Sequence, residues 1–296
     1  MGFKSGYVAI IGRPNVGKST LLNALMGEKL AIISDKPQTT RNRIQCVFTD
    51  DDSQIIFLDT PGMQKGRNKL GDYMEKITLD TVKDVDVVLW LVDESTSMGK
   101  WDQFLLEELK KLKKIPKIAV LNKSDLLTAE EGIRLYEKFV AMDVFAGVCP
   151  LSAKENHGVD ELIKTIQALL PEGPQYFPED TITDQPVRFI AAEIIREKAL
   201  HYLDQEIPHG IAIEINEMKP RKKGEIMYVS ATIHCERDSH KGIIIGKGGR
   251  KLKGIGKAAR IEIEKLLGTQ VHLELWVKVS KDWRDKESAV RRFGYK

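Results

Sequence analysis

The sequence is poor in the features that mark disulfide-rich, metal-clustered, membrane-spanning or disordered chains. Three cysteines in 296 residues, Cys46, Cys149 and Cys235, stand without CxxC spacing, which points to reduced thiols rather than a disulfide framework or a zinc site. The six histidines form no metal motif. Apolar runs such as Val87 to Val92 fall far short of the roughly 20 residues that span a bilayer. Nothing near the start reads as a signal peptide, and Gly6 occupies the place where a myristoylation signal needs Ser or Thr. A cytoplasmic protein is expected. With 42% hydrophobic residues the chain can bury two cores, and its length suits two domains.

The net charge of +3 conceals an asymmetry. Residues 181–296 hold 23 Lys+Arg against 16 Asp+Glu, whereas residues 1–180 hold 23 against 27. The stretch from Lys241 to Arg260 carries seven Lys or Arg and no acid, which suggests a polyanionic partner for the second half. Between the halves, Pro171, Pro174, Pro178 and Gly173 crowd a segment that neither helix nor inner strand tolerates. The reading is therefore a first domain over residues 1–172, a linker over 173–183 and a C-terminal region over 184–296.

Before the linker, short β-branched runs (Tyr7 to Ile11, Ile55 to Leu58, Val85 to Val92, Ile118 to Leu121, Phe145 to Leu151) alternate with amphipathic stretches of helical length. This rhythm predicts an α/β domain with a mostly parallel sheet flanked by helices. After it, a helix opening at Pro186 precedes the alternating runs Ile211/Ile213/Ile215 and Met227/Val229/Ala231/Ile233. A short helix, the glycine-rich step Gly246-Lys247-Gly248-Gly249, a longer helix and the strand Val271 to Val279 follow. The predicted order is αββααβ, an α+β unit.

Gly12-Arg13-Pro14-Asn15-Val16-Gly17-Lys18-Ser19, with Thr20 behind it, follows a strand and opens a helix, as a P-loop must. Its glycines let consecutive N–H groups and the positive helix end face phosphates. Lys18 would reach the β and γ phosphates, and Ser19 would bind Mg²⁺. Asp59-Thr60-Pro61-Gly62 ends the next apolar strand, placing a carboxylate near Mg²⁺ and the Gly62 N–H near a γ-phosphate oxygen. Asn122-Lys123-Ser124-Asp125 follows another strand, and Asp125 can accept from both N1–H and the 2-amino group of guanine. Adenine offers neither donor, so such a site discriminates by about 10⁴ and selects GTP. Ser152-Ala153-Lys154 caps a later strand and can present a backbone N–H to guanine O6.

Taken together these four elements resemble the translation-factor class of P-loop GTPases over roughly residues 5–170. Gln38-Thr39-Thr40-Arg41 looks like the switch I motif of the Era family and its relatives, which implies that Thr40, or else its neighbour Thr39, completes the Mg²⁺ shell. Met63 stands next to Gly62, where Ras-like enzymes carry a water-orienting Gln, and a thioether cannot do that work. Gln64 is the nearest amide. Charge in the transition state then falls to a partner in trans or to a monovalent cation, and Asn15 resembles the P-loop Asn of potassium-activated relatives. The reading expects slow hydrolysis of GTP to GDP that rises in K⁺.

The αββααβ order with GxxG between two helices looks like a type II KH domain over about 200–280. Gly246, Gly248 and Gly249 would meet a nucleic-acid backbone, Lys247 a phosphate, and Lys241, Arg250, Lys251, Lys253 and Lys257 would supply salt-dependent affinity. A P-loop GTPase domain followed by this module resembles the Era family, bacterial GTPases of small-subunit assembly. That resemblance implies a monomer that binds the 3′ end of 16S rRNA on the 30S ribosomal subunit and touches the cytoplasmic membrane peripherally.

Overall fold

The computed structural model describes residues 2–34, 36, 39–62, 68–95, 98–204, 207–221 and 226–295. Two compact units emerge, one of Met1–Ile33, Gln38–Gly66 and Gly71–Asp184, the other of Ser34–Pro37, Arg67–Leu70 and Gln185–Lys296.

In the first unit six strands, β1 (Lys4–Gly12), β2 (Ile44–Thr49), β3 (Ser53–Asp59), β4 (Val87–Val92), β5 (Lys117–Leu121) and β6 (Gly147–Pro150), form one sheet in the order β2-β3-β1-β4-β5-β6. Helices α1 (Lys18–Met26), α2 (Lys69–Thr81), α3 (Lys100–Lys111), α4 (Ala129–Val140) and α5 (Val159–Leu169) connect them. Strands β1, β3, β4, β5 and β6 run parallel, and β4 and β5 are buried along their whole length. That burial on both faces explains their unbroken apolar sequences. Trp90 of β4 packs edge-on against Phe139 of α4 at a ring distance of 5.8 Å.

Strand β2 is an addition to the sequence reading. It pairs antiparallel with β3 through a tight turn in which Asp50 Oδ1 accepts from the Asp52 and Ser53 amides at 3.0 and 2.7 Å. Its apolar centre is only Cys46, Val47 and Phe48, too brief to announce a strand. The 173–183 segment, expected as a linker, lies along this edge. The Val47 amide donates to Ile182 O at 2.8 Å, Thr183 Oγ1 donates to Gln45 O at 2.6 Å, and the Tyr176 and Phe177 amides donate to Gln54 Oε1 at 2.8 and 2.9 Å. Extended proline-rich chain thus covers polar groups that a bare edge strand would expose.

The second unit contains α6 (Val187–Tyr202), β7 (Ala212–Pro220), β8 (Ile226–Cys235), α7 (Asp238–Ile245), α8 (Arg250–Leu267), β9 (Gln270–Val279) and α9 (Glu287–Arg292). The sheet order is β7-β8-β9, with β7 antiparallel and β9 parallel to β8. The expected αββααβ order is present. Ile255, Ala259 and Ile263, at helical spacing on α8, are fully buried. After β9 the chain closes over the unit: Trp283 Nε1 donates to Gly210 O at 2.8 Å, and Phe293 packs against Trp283 and His234. Among the described residues no helix is long and apolar enough to cross a membrane.

Candidate functional site

The first site lies where β1, β3, β4 and β5 end. β1 sits between β3 and β4 in the sheet, and the crevice beyond the carboxyl ends of such strands is where open α/β sheets bind ligands. The P-loop turns there with Asn15 at φ 65° and Gly17 at φ 97°. A side chain on Gly17 would be strained and would collide with Asn122 Nδ2. Helix α1 begins at Lys18 with neither a side-chain cap nor an acid in its first turn, so its amide dipoles remain available to an anion. Lys18 is buried, and its Nζ donates to the carbonyls of Gly12 and Arg13 at 3.2 and 2.9 Å.

Three oxygens converge beside it. Ser19 Oγ lies 2.9 Å from Thr40 Oγ1, and the two hydroxyls donate to Asp59 Oδ2 at 3.1 and 3.3 Å. Of the two threonines weighed above, Thr40 makes these contacts. Asp59 is fully buried, and its Oδ1 has no hydrogen-bond partner. Burial pushes the Asp59 carboxyl up to about 6, against the opposing pull of the Lys18 charge and the two hydroxyls. Burial likewise pushes the Lys18 ammonium down to about 8. A dry carboxylate with an unpaired oxygen beside two hydroxyls is a hard, all-oxygen set that fits Mg²⁺.

The neighbouring residues divide between contact and support. Thr60 is buried, and its hydroxyl donates to Ile10 O at 2.8 Å, tying β3 to β1. Pro61 O accepts from Thr78 Oγ1 at 3.3 Å. Gly62 faces the P-loop closely enough that a Cβ would lie 2.9 Å from Pro14 Cα. Met63, expected among the nucleotide residues, lies outside the described residues, as do Gln38, Gln64, Lys65 and Gly66.

A cavity of about 480 Å³ adjoins the P-loop, lined by Asn15, Gly17, Thr20, Ile33, Asn122, Lys123, Asp125, Leu126, Ser152 and Lys154. The motifs supply eight of these residues. Ile33 and Leu126 were not anticipated, since an apolar residue beside a motif gives no signal of its own. Asp125 Oδ1 accepts from Ser152 Oγ at 2.5 Å. Asn122 knits three loops: its Nδ2 donates to Val16 O at 2.7 Å, and its Oδ1 accepts from the Ala153 amide at 3.0 Å. The Ser152 amide donates to His157 O. In the segment expected to present a backbone N–H to guanine O6, the amides of Ser152 and Ala153 are engaged within the protein.

Arg13 belongs to the expected P-loop, and its side chain turns sideways to acids. Its Nη2 donates to Asp93 Oδ1 at 2.8 Å and Ser95 Oγ at 2.7 Å, and its Nε lies 3.2 Å from Asp102 Oδ1. Lys123 of the base-reading segment approaches Asp93 Oδ2 at 3.7 Å and Glu94 at 3.3 Å. Asp93 thus stands between the phosphate loop and the base loop. Burial would raise its carboxyl, but bonds from Ser95 and the Arg13 charge outweigh that and hold it below the usual range. Sequence reasoning missed Asp93; its place at the tip of β4, matching that of Asp59 at the tip of β3, was the available signal.

The second unit holds a groove of about 490 Å³ between α8 and β9, lined by Leu252, Lys253, Gly256, Lys257, Arg260, Leu273 and Leu275. The loop before α8 has Gly246, Gly248 and Gly249 at φ 72°, 61° and 74°. A Cβ on Gly246 would lie 2.7 Å from Lys251 Cβ. Of the expected RNA residues, Lys253 and Lys257 line the groove. Lys247, Arg250 and Lys251 belong to the loop and the first turn of α8, and Lys241 lies on α7. Arg260 and the apolar floor were missed, because leucines at core spacing read as core.

Residues 7–123 match the family model described as 50S ribosome-binding GTPase, and residues 206–284 match that of the KH domain. GTPase Era of Alkaliphilus oremlandii (strain OhILAs) is 59% identical, with 100% of each chain covered. GTPase Era of Clostridioides difficile (strain 630) is 55% identical over 99% of each. A crystal structure of Era in complex with MgGDPNP and nucleotides 1506–1542 of 16S ribosomal RNA superimposes with a TM-score of 0.96 at 44% identity, covering 99% of both chains. A variant of Aquifex aeolicus Era bound to GDP.AlF4- gives a TM-score of 0.95, also at 44% identity and 99% coverage of both chains.

Proposed function

The chain belongs to the Era family of GTPases, and on that premise we propose that it is a slow GTP-hydrolysing switch that binds the 3′ end of 16S rRNA through its KH groove during assembly of the 30S ribosomal subunit. The observation that carries this reading is the coexistence in one chain of a pocket built around Asp125 and a groove lined by Lys253, Lys257 and Arg260. The solved relative held both MgGDPNP and a 16S fragment, which supports carrying both ligands over to this chain.

Asp125 accepts the two donors of the guanine edge, and the short bond from Ser152 keeps its carboxylate aimed. A nucleotide lacking those donors would cover Asp125 and leave its carboxylate unpaired, the strongest basis a site has for refusing it. Lys18 exchanges its bonds with the loop carbonyls for phosphate oxygens, at no cost in new ordering. Ser19, Thr40 and Asp59 would hold Mg²⁺, which supplies charge neutralisation on the phosphate oxygens when bound. Thr40 lies in the segment between α1 and β2, so its bond with Ser19 links the phosphate site to that segment. With no Gln beside Gly62 to orient water, hydrolysis is slow, and Asn15 at the pocket wall offers its amide oxygen to K⁺.

Two measurements test the reading. RNA affinity for nucleotides 1506–1542 should differ between the GDP form and the form loaded with a non-hydrolysable GTP analogue; equal affinities would end the switch account. GTP turnover should be faster in KCl than in NaCl at the same ionic strength, and equal rates would remove K⁺ from the mechanism.

A further inference from the structure

Helix α8 packs on one face of the sheet of the second unit, and on the other face the C-terminal turn covers the His234 end, where Phe293 meets His234 and Arg292 of α9 pairs with Glu214. Leu275 faces α8, since a Cβ on Gly256 of that helix would lie 3.5 Å from its Cδ1. Side chains alternate along a strand, so His272, Glu274, Trp276 and Lys278 stand on the opposite face. Trp276 is 61% exposed, and among the described residues its indole makes no hydrogen bond or ring contact. Across the sheet its partner is Thr232, and the next pair is Ser230 with Glu274. Both β8 side chains are too small to cover the indole.

Further along the same face Tyr228 pairs with His272, and their rings stack at 5.8 Å and 22°. The Arg221 guanidinium lies over the Tyr228 ring at 5.0 Å. The local acids are already engaged. Glu274 accepts from Tyr228 Oη at 2.9 Å and faces His272 Nε2 at 3.2 Å, while Glu217 pairs with Lys219. Arg221 and Lys278 remain as cations on a face carrying three aromatic rings. Single exposed aromatics are common on protein surfaces, but π-faces interleaved with cations are the chemistry that holds unpaired bases. Strand β9 is an edge strand, and it also gives Leu273 and Leu275 to the groove on the other side. A strand leaving that groove meets Trp276 as it rounds the edge.

We propose that the uncovered stretch of the second face of the β7-β8-β9 sheet, from Tyr228 to Trp276, is a second stacking surface for single-stranded RNA, continuous with the α8/β9 groove around edge strand β9. The inference rests on the RNA-binding reading above. The groove suits about four nucleotides, and the sheet face would take bases flanking them by stacking, without reading their sequence.

The test uses the full chain and the RNA fragment spanning nucleotides 1506–1542 of 16S rRNA. Titration should quench tryptophan emission in the wild type, and the quench should be lost in Trp276→Ala. That variant should bind the fragment about tenfold more weakly, within the range that one base–aromatic stack provides. Trp276→Phe should recover most of the affinity, and both variants should bind GDP as the wild type does, which separates lost stacking from misfolding. If the wild type binds the fragment and Trp276→Ala binds it equally well, the stacking surface is wrong while the groove reading survives. If Trp276→Ala binds the fragment normally but is impaired on whole 30S subunits, the face meets protein and the proposal also falls. Should the wild type not bind the fragment at all, both readings fail.

Discussion

In the nucleotide site nearly every polar side chain already has protein partners, whereas in the α8/β9 groove the cations are held loosely. Asn122 bonds to the P-loop and to the Ala153 amide, Asp93 takes Arg13 and approaches Lys123, and Asp59 takes two hydroxyls. In the groove Arg260 has one distant acid, Glu264 at 3.9 Å, and Lys253 and Lys257 have no ion pair among the described residues. The difference matches the two tasks. Pre-aimed hydrogen bonds that the bound base itself covers give all-or-none discrimination between bases, while solvated cations give an affinity that is broad, additive and graded by salt.

The largest test of that contrast is Asp125→Asn. GTP affinity should fall by about 10³ to 10⁴, with preference moving toward xanthosine triphosphate, measured by competition binding; unchanged GTP affinity would remove Asp125 from base reading. RNA binding by the nucleotide-loaded variant should be unaffected.

Asp93→Asn probes whether the network behind the site is functional or only structural. With one of its partners neutralised, Arg13 is left with a half-buried, imperfectly paired charge. Release of a fluorescent GDP should accelerate about tenfold in stopped flow, with the melting temperature of the nucleotide-bound protein nearly unchanged.

Arg260→Ala should have the smallest effect, weakening RNA binding about threefold near physiological salt. The slope of log affinity against log salt should shrink by about 0.7, the value for one phosphate contact to a single strand. A slope that does not move would mean that Arg260 lines the groove without touching phosphate.

Legibility in the sequence followed the same division. Lys18, Ser19, Asp59, Asn122 and Asp125 were readable because each works from the end of a strand whose apolar run fixes its position. Thr40 was readable as the first choice of two adjacent threonines, and the bond of its hydroxyl to Ser19 supports that choice. Where the Arg13 side chain turns was not readable, because a P-loop position says where the backbone runs and nothing about which acids attract the side chain. Strand β2 was missed because an edge strand buries too little to need a long apolar run. The 173–183 segment read as a linker because proline marks where regular structure stops, not what the extended chain lies against.

The sequence by itself determined both folds and the chemistry of the nucleotide site, since local periodicity and motif spacing are properties of neighbouring residues. Only the tertiary structure decided which oxygens meet at Asp59, where Arg13 turns, that the proline-rich segment guards an edge strand, and that Trp276 stands uncovered opposite a groove. Those are contacts between residues far apart in the chain, and burial, which gives each its strength, exists only once the chain has folded.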